Sequence, residues 1–239
     1  MTETTLLKAL TAAGAGSRRK MADSIIGGKV NVNGRPVTDL KHAVDTDKDK
    51  VTIGGKTIQL NPREVLCLML HKPKGVLSTT SDEKGRRTVI EILPKEYRKS
   101  GLYPAGRLDR DTTGLLLLTN DGDLTYRLTH PKFEHEKEYL VYIDGRLTKA
   151  EKERLAKGII LEEGKTAPAK VREITESPYN YSLTIHEGRK RQVRRMFERL
   201  KHPVIDLKRT RIGGLRLGEL KEGEARRLKA EEIGTLTQQ

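Results

Sequence analysis

A single cysteine, Cys67, is the whole thiol content of the 239 residues. That excludes an internal disulfide framework and agrees with a reduced cytoplasm. Inside an apolar run, a buried and inert thiol is expected at Cys67 in preference to a nucleophile. Long hydrophobic runs are also lacking. The longest, Val65 to Leu70 and Leu115 to Leu118, fall far short of the roughly 20 residues of a membrane helix. Met1 to Leu10 lacks a basic start, an apolar centre and a small-residue cleavage site, so no secretory signal is expected. Aromatic residues total 4%, and no amphipathic stretch sets an aromatic face against a basic one, which argues against a membrane surface as partner. The six histidines (His42, His71, His130, His135, His186 and His202) show no HExxH or paired-cysteine spacing, so no metal site is expected. Two GKT triplets, Gly55-Lys56-Thr57 and Gly164-Lys165-Thr166, fail as phosphate loops. The required glycine five residues before the second one is replaced by Lys50 and Ile159.

What the chain has in excess is positive charge. Lys and Arg number 47 against 33 Asp and Glu, a net charge of +14 and a pI near 9.8. A field of that sign concentrates polyanions and speeds their capture, so nucleic acid is the leading partner. The length suits one medium domain with a small module appended.

Along the chain, Leu6, Leu7, Leu10 and Ala13 follow helical spacing until Gly14-Ala15-Gly16 breaks it. Ser17 is placed to cap a second helix, in which Met21 pairs with Ile25 and Ala22 with Ile26, ended by Gly27-Gly28. Lys20 stands where a full capping box has Glu. Arg18, Arg19 and Lys20 in its first turn oppose the helix dipole and invite an anionic partner. Lys29 to Val37 alternates around Asn33-Gly34, a strong hairpin signal. Further on, Val65 to Leu70, Leu115 to Thr119, Tyr139 to Ile143 and Tyr181 to His186 read as buried strands. Thr148 and Glu151 form a capping box opening a helix that ends near Gly158. Val193, Met196, Phe197 and Leu200 mark the apolar face of another helix. The pattern is α+β.

The stretch YPAGRLDRDTTGLLLLTNDGDL, Tyr103 to Leu124, concentrates Arg107, Asp109, Arg110 and Asp111 in a loop between glycines that feeds a buried strand. A carboxylate on a loop held by a rigid strand is well placed for catalysis. Flanked by Arg107 and Arg110, Asp109 is expected to carry its charge. It could then attack an electrophilic carbon or steady an oxocarbenium-like state. Bare, such an aspartate serves equally well as a turn or cap residue.

The amino-terminal string GSRRKMADSIIGGKVNVNG resembles the small S-four type RNA-binding module, although an aromatic residue common in the first helix of such modules is replaced by Leu6-Leu7. Residues 1–60 carry ten Lys or Arg against six Asp or Glu. Residues 61–64, Asn-Pro-Arg-Glu, read as a linker to a second domain over 65–239. There GRLDRDTTGLLLLTNDGDL resembles the catalytic motif of pseudouridine synthases of the RsuA-like family, the modifiers of small- and large-subunit ribosomal RNA. The stretches HKPKGVLST (71–79), KEYLV (137–141), IHEGRKRQVRRMF (185–197) and RTRIGGLRLGELKEGEARRL (209–228) agree in order.

The resemblance implies a mixed, mainly antiparallel sheet and a cofactor-free isomerase that converts a uridine of ribosomal RNA to pseudouridine. An RluB-like large-subunit enzyme acting on 23S rRNA is favoured over one acting on 16S rRNA. It implies Asp109 as the essential aspartate, Tyr139 as the ring stacked on the uracil and Arg194 as the cation paired with Asp109. Tyr139 as an ordinary strand tyrosine, ring in the core and hydroxyl at the rim, is the alternative. On the helical phase of Val193 and Met196, Arg194 falls at the margin of the apolar face, with Arg191 and Arg195 pointing outward. Candidate RNA contacts are Arg18, Arg19, Lys20, Lys72, Lys74, Arg107, Arg110, Lys190, Arg191 and Arg195. The expected partner is ribosomal RNA or its assembly intermediates, met by a cytoplasmic monomer. A non-enzymatic RNA-binding protein and an RNA glycosidase or nuclease are the rival readings.

Overall fold

The computed structural model describes residues 3–61, 63–175 and 178–237; Pro62 of the expected linker lies outside them. The chain divides into two compact units, Met1–Val65 and Leu66–Gln239.

In the first unit, α1 (Leu6–Ala12) buries Leu6, Leu7, Ala9 and Leu10. Ser17 caps α2 (Arg18–Ile26), its hydroxyl accepting from the Lys20 amide at 3.3 Å. Met21 and Ile25 face inward. The pairing expected for Ala22 and Ile26 does not hold, because one step further round the helix leaves Ile26 62% exposed. Arg18, Arg19 and Lys20 project to solvent from a first turn with no acidic residue. The strands β1 (Val30–Val32) and β2 (Arg35–Pro36) meet at Asn33 and Gly34, both with positive φ (50° and 81°), which is what a two-residue hairpin turn of this hand requires. A second hairpin, β3 (Val51–Ile53) and β4 (Lys56–Ile58), completes a sheet of order β2-β1-β3-β4. Leu10, Ile25, Val30 and Val51 pack in its core.

The second unit is built on one nine-stranded sheet. Its principal elements are β5 (Cys67–Lys72), β6 (Thr113–Thr119), α3 (Gly122–Thr129), β7 (Lys137–Ile143), α4 (Lys149–Lys157), β8 (Lys170–Glu173), β9 (Tyr181–Ile185), α5 (Gln192–Glu198), β10 (Val204–Ile212), β11 (Ala225–Arg227) and α6 (Ala230–Thr237). The strand order is β8-β9-β7-β10-β6-β5-β11, antiparallel throughout except where β10 runs parallel to β6. β5 and β6 read as continuous apolar runs because they are buried on both faces. Leu68, Leu70, Leu116 and Leu118 belong to the core that also holds Leu155 of α4 and Phe197 of α5. The alternate residues Cys67, Met69, Leu115 and Leu117 belong to the core of Leu124 and Leu128 of α3 and Leu236 of α6. Burial pushes the Cys67 thiol up to about 12, consistent with an inert thiol. No helix of the described residues is long and apolar enough to cross a membrane.

The expected start of β5 is corrected by two residues. Val65 is 56% exposed and the strand opens at Cys67. The capping box is formed, with Glu151 accepting from the Thr148 amide at 2.8 Å, and Gly158 ends α4. The sequence pattern does not announce β10 as a strand. Its sequence, VIDLKRTRI, carries Lys208, Arg209 and Arg211, and the inward position at Arg209 is filled by an arginine instead of an apolar residue.

Candidate active site

The loop ahead of β6 is fastened from several sides. The Ser78 hydroxyl donates to the Leu108 carbonyl (2.9 Å) and accepts from the Leu108 amide (3.2 Å), and the Gly75 amide donates to the Arg110 carbonyl (2.8 Å). Within the loop, the Thr112 amide donates back to the Asp109 carbonyl at 3.1 Å, closing a turn over Asp109. Lys72, at the end of β5, is fully buried. Its ammonium donates to the carbonyls of Pro73 (2.8 Å), Thr112 (2.9 Å) and Arg110 (3.4 Å). Burial pushes it down to about 8, against the pull of the Asp111 and Asp109 carboxylates. Lys72 is therefore not a phosphate contact. Its charge is spent on backbone carbonyls, and it holds the loop that carries Asp109.

Asp109, half-buried, opens onto a cavity of about 350 Å³ whose walls include Arg107, Lys137, Tyr139 and Arg209. β7 supplies Lys137 and Tyr139, two residues apart and so on one face. Directly across the strand pair, Arg209 of β10 is the register partner of Tyr139. Its Nε donates to the Leu115 carbonyl at 2.8 Å, its guanidinium carbon lies 6.0 Å from the centre of the Tyr139 ring, and one terminal nitrogen is 3.5 Å from the Tyr139 hydroxyl. Tyr139 is nine-tenths buried, packed into the core and lining the cavity at once.

The arginines of α5 depart from expectation. Arg194 does not pair with Asp109. Its two terminal nitrogens donate to the carbonyls of Val204 (2.8 Å) and Asp111 (2.9 Å), and its Nε stands 3.3 Å from the Asp111 carboxylate, close enough for an ion pair but not aligned for a hydrogen bond. Arg191 grips the same carboxylate through two nitrogens at 3.0 and 3.1 Å. Burial alone would raise the Asp111 carboxyl, but the Arg191 hydrogen bond and the charges of Arg194 and Arg191 hold it below the ordinary carboxylate range. The marginal phase read for Arg194 is corrected to an inward one, since it is buried together with Val193, Met196 and Phe197. Arg195 does not point freely outward. It is half-buried and bound to Glu163 at 2.9 Å.

Of the remaining candidates, Arg107 and Lys190 are exposed at the cavity rim. Arg110 is exposed with its Nε 3.3 Å from the Gly75 carbonyl, and Lys74 is half-exposed beside Asp206. Arg18, Arg19 and Lys20 belong to the first unit. Sequence reasoning missed Arg209 and Lys137. The signal for Arg209 was its phase two residues after the buried Leu207; for Lys137 it was the shared strand face with Tyr139.

The second unit, with one carboxylate loop and an aromatic ring over a single cavity, belongs to a known class of RNA-modifying enzymes. Residues 67–199 match the RNA pseudouridylate synthase family and residues 4–51 match the S4 domain. The chain belongs to the pseudouridylate synthase family, whose members isomerise uridine to pseudouridine. It is 44% identical to the ribosomal large subunit pseudouridine synthase B of Bacillus subtilis, over 97% of this chain and 94% of that one. It is 39% identical to an uncharacterized RNA pseudouridine synthase, YtzG, of the same organism, over 97% of each. Among solved structures, a pseudouridylate synthase at 35% identity superposes with a TM-score of 0.69, covering 98% of this chain and 99% of that chain.

Proposed function

We propose that this protein isomerises one specific uridine of ribosomal RNA, in 23S rRNA before 16S rRNA, as a cytoplasmic monomer that contributes to ribosome biogenesis. The observation that carries the reading is the gathering of Asp109 and Tyr139 on one cavity with a buried arginine opposite the tyrosine. The relative named for the large subunit supports the choice of RNA.

In this reading the target nucleotide leaves its stack and the base enters the cavity, since its reacting atoms are inaccessible inside a helix. Tyr139 offers a ring face to the uracil. The Asp109 carboxylate faces the ribose, where the bond from N1 to C1′ breaks. The base turns and C5 joins C1′. No atom is gained or lost, so the scheme calls for no cofactor. Arg194 serves as a positioning residue, fixing the loop through the Asp111 carbonyl and carboxylate. Arg18, Arg19 and Lys20 in the amino-terminal module, residues 1–60, and Arg107, Arg110, Lys190 and Arg191 around the cavity meet phosphates.

Mapping pseudouridine across both large rRNAs in a strain lacking the gene tests the assignment, with loss of one modification in 23S rRNA expected. Asp109→Asn should abolish tritium release from uridine labelled at C5 while RNA binding stays within a few-fold, because the cationic surface is untouched. Turnover by that variant near the wild-type rate would sink the role of Asp109.

A further inference from the structure

The inward-facing arginines of the second unit are matched to carboxylates with one exception. Arg194 lies beside Asp111, Arg195 beside Glu163, and Arg211 beside Glu136 and Glu138. Arg209 has no ion pair among the described residues, although it is 3% exposed, and its second terminal nitrogen is buried with no hydrogen-bond acceptor at all. Lys137, on the neighbouring strand, is half-buried and likewise lacks a carboxylate partner among the described residues. Its ammonium donates to the His135 carbonyl at 3.2 Å. Both line the cavity that Asp109 and Tyr139 share. A buried guanidinium with an unmatched nitrogen is costly to fold, and a ligand in the cavity can supply the acceptor and charge that it lacks.

We propose that Arg209 and Lys137 are catalytic residues that hold the negative charge of the uracil ring after it has left the ribose. The proposal deepens the isomerase reading and rests on it. When the bond from N1 to C1′ breaks, its electron pair stays with the base, and the ring becomes an anion with charge shared among N1, O2 and O4. The ring must turn in that state before C5 reaches C1′. The new C5–C1′ bond consumes the pair, the proton on C5 leaves and N1 takes one up, so the product ring is neutral.

Fixed donors aimed at a developing anion in a water-poor site are worth far more than in water. Two of them, on adjacent strands, suit an anion whose charged edge moves as the ring rotates. Tyr139, two residues from Lys137 on one strand and the cross-strand partner of Arg209, is able to stack on the ring through the turn. A carboxylate matched to either cation would cancel this field, which accounts for the absence of one.

The local electrostatics agree. Burial pushes Lys137 down to about 8, and the nearby charge of Arg209 pushes the same way. The other titratable groups sharing its cavity are Asp109 on the loop, His130 after α3, His135 and Tyr139 on its own segment, and His186 and Glu187 after β9, with the rim cations Arg107, Arg189, Lys190 and Arg191.

Single-turnover tritium release at saturating enzyme, using a transcribed rRNA fragment that carries the mapped uridine, tests the proposal. The wild-type rate should fall above about pH 8 as Lys137 loses its proton. Lys137→Arg should keep most of the rate and remove that alkaline limb. Lys137→Gln should lower the plateau about 10- to 100-fold with RNA affinity within threefold, and Arg209→Gln should lose about 100- to 1000-fold, the size expected for one oxyanion donor. Should Arg209→Gln fail to fold, Lys137→Gln and Lys137→Arg decide the matter. A wild-type rate in Lys137→Gln, or an alkaline limb unchanged in both Lys137 variants, overturns the proposal. A wild-type protein that modifies no rRNA fragment overturns the isomerase reading instead.

Discussion

A Cβ placed on Gly114 would lie 2.2 Å from the carbonyl oxygen of Arg209. The parallel pairing of β6 with β10 therefore depends on a position with no side chain, directly behind the loop of Asp109. Gly114 also holds φ at 106°, a conformation that other residues rarely adopt. Gly114→Ala should lower the melting temperature by several degrees, since strain of that kind costs on the order of 1–3 kcal/mol before the clash is added. It should cut the saturated rate more than RNA affinity, because Arg209 and Asp109 are displaced together. Thermal melts and single-turnover assays on the same preparation check both parts, and a stable variant with wild-type turnover would refute the dependence.

Arg194 bonds two part-buried backbone carbonyls, so Arg194→Ala leaves acceptors without donors, at a cost below the roughly 1–3 kcal/mol of a fully buried one. Both stability and the saturated rate should drop, with Arg194→Lys recovering part, since a point charge replaces a planar fork. If Arg194 acts through Asp111, the loss in the Arg194→Ala, Asp111→Asn double variant should be smaller than the sum of the single losses. Strict additivity in the rate would separate the two residues.

Lys137 gives a pH signature in stability as well as in rate. Its folded value, about 8, lies below its ordinary 10.5, so between those values the unfolded chain binds more protons than the folded one and stability rises with pH. The penalty is present in full below pH 8 and is relieved as pH climbs towards 10.5. Lys137→Met should accordingly melt higher than wild type at pH 7, with the gap closing by pH 10. Denaturant titrations at pH 7, 8.5 and 10 would show it; a gap that widens with pH contradicts the burial argument.

The first unit should contribute capture and not chemistry. Replacing Arg18, Arg19 and Lys20 together with Ala should reduce the slope of log affinity against log salt by up to about three and weaken binding evenly across RNA sequences. Saturated single-turnover rates should stay within twofold. A collapse of that rate in the folded triple variant would show that the module helps to build the catalytic cavity.

Much of this was legible in the sequence, for identifiable reasons. Ser17, Asn33-Gly34 and the Thr148–Glu151 box act locally, so their short-range chemistry survives into the fold unchanged. Leu115 to Leu118 announced a strand buried on both faces. Asp109 stood out because the loop motif around it is dense and glycine-bracketed. The failures around the site involve charged residues placed inward by tertiary context. Lys72 reads as a surface lysine because nothing local reveals the three carbonyls around it. β10 went unread because Arg209 occupies a position that alternation reserves for an apolar side chain. The resemblance pairs Arg194 with Asp109, whereas Asp111, two residues on, takes that place. Helical phase alone settles neither how deep an arginine at the margin of an apolar face is buried nor which carboxylate waits there.

The burial of Cys67 has a practical consequence. With its thiol buried in the sheet and pushed up to about 12, Cys67 should resist alkylating reagents at neutral pH, so the natural chain should serve as a cysteine-free background. A cysteine introduced at exposed Lys190, on the cavity rim, would be the one position to accept a maleimide fluorophore. The enzyme could then be tagged beside its cavity by a single substitution, and the arrival of RNA followed in real time.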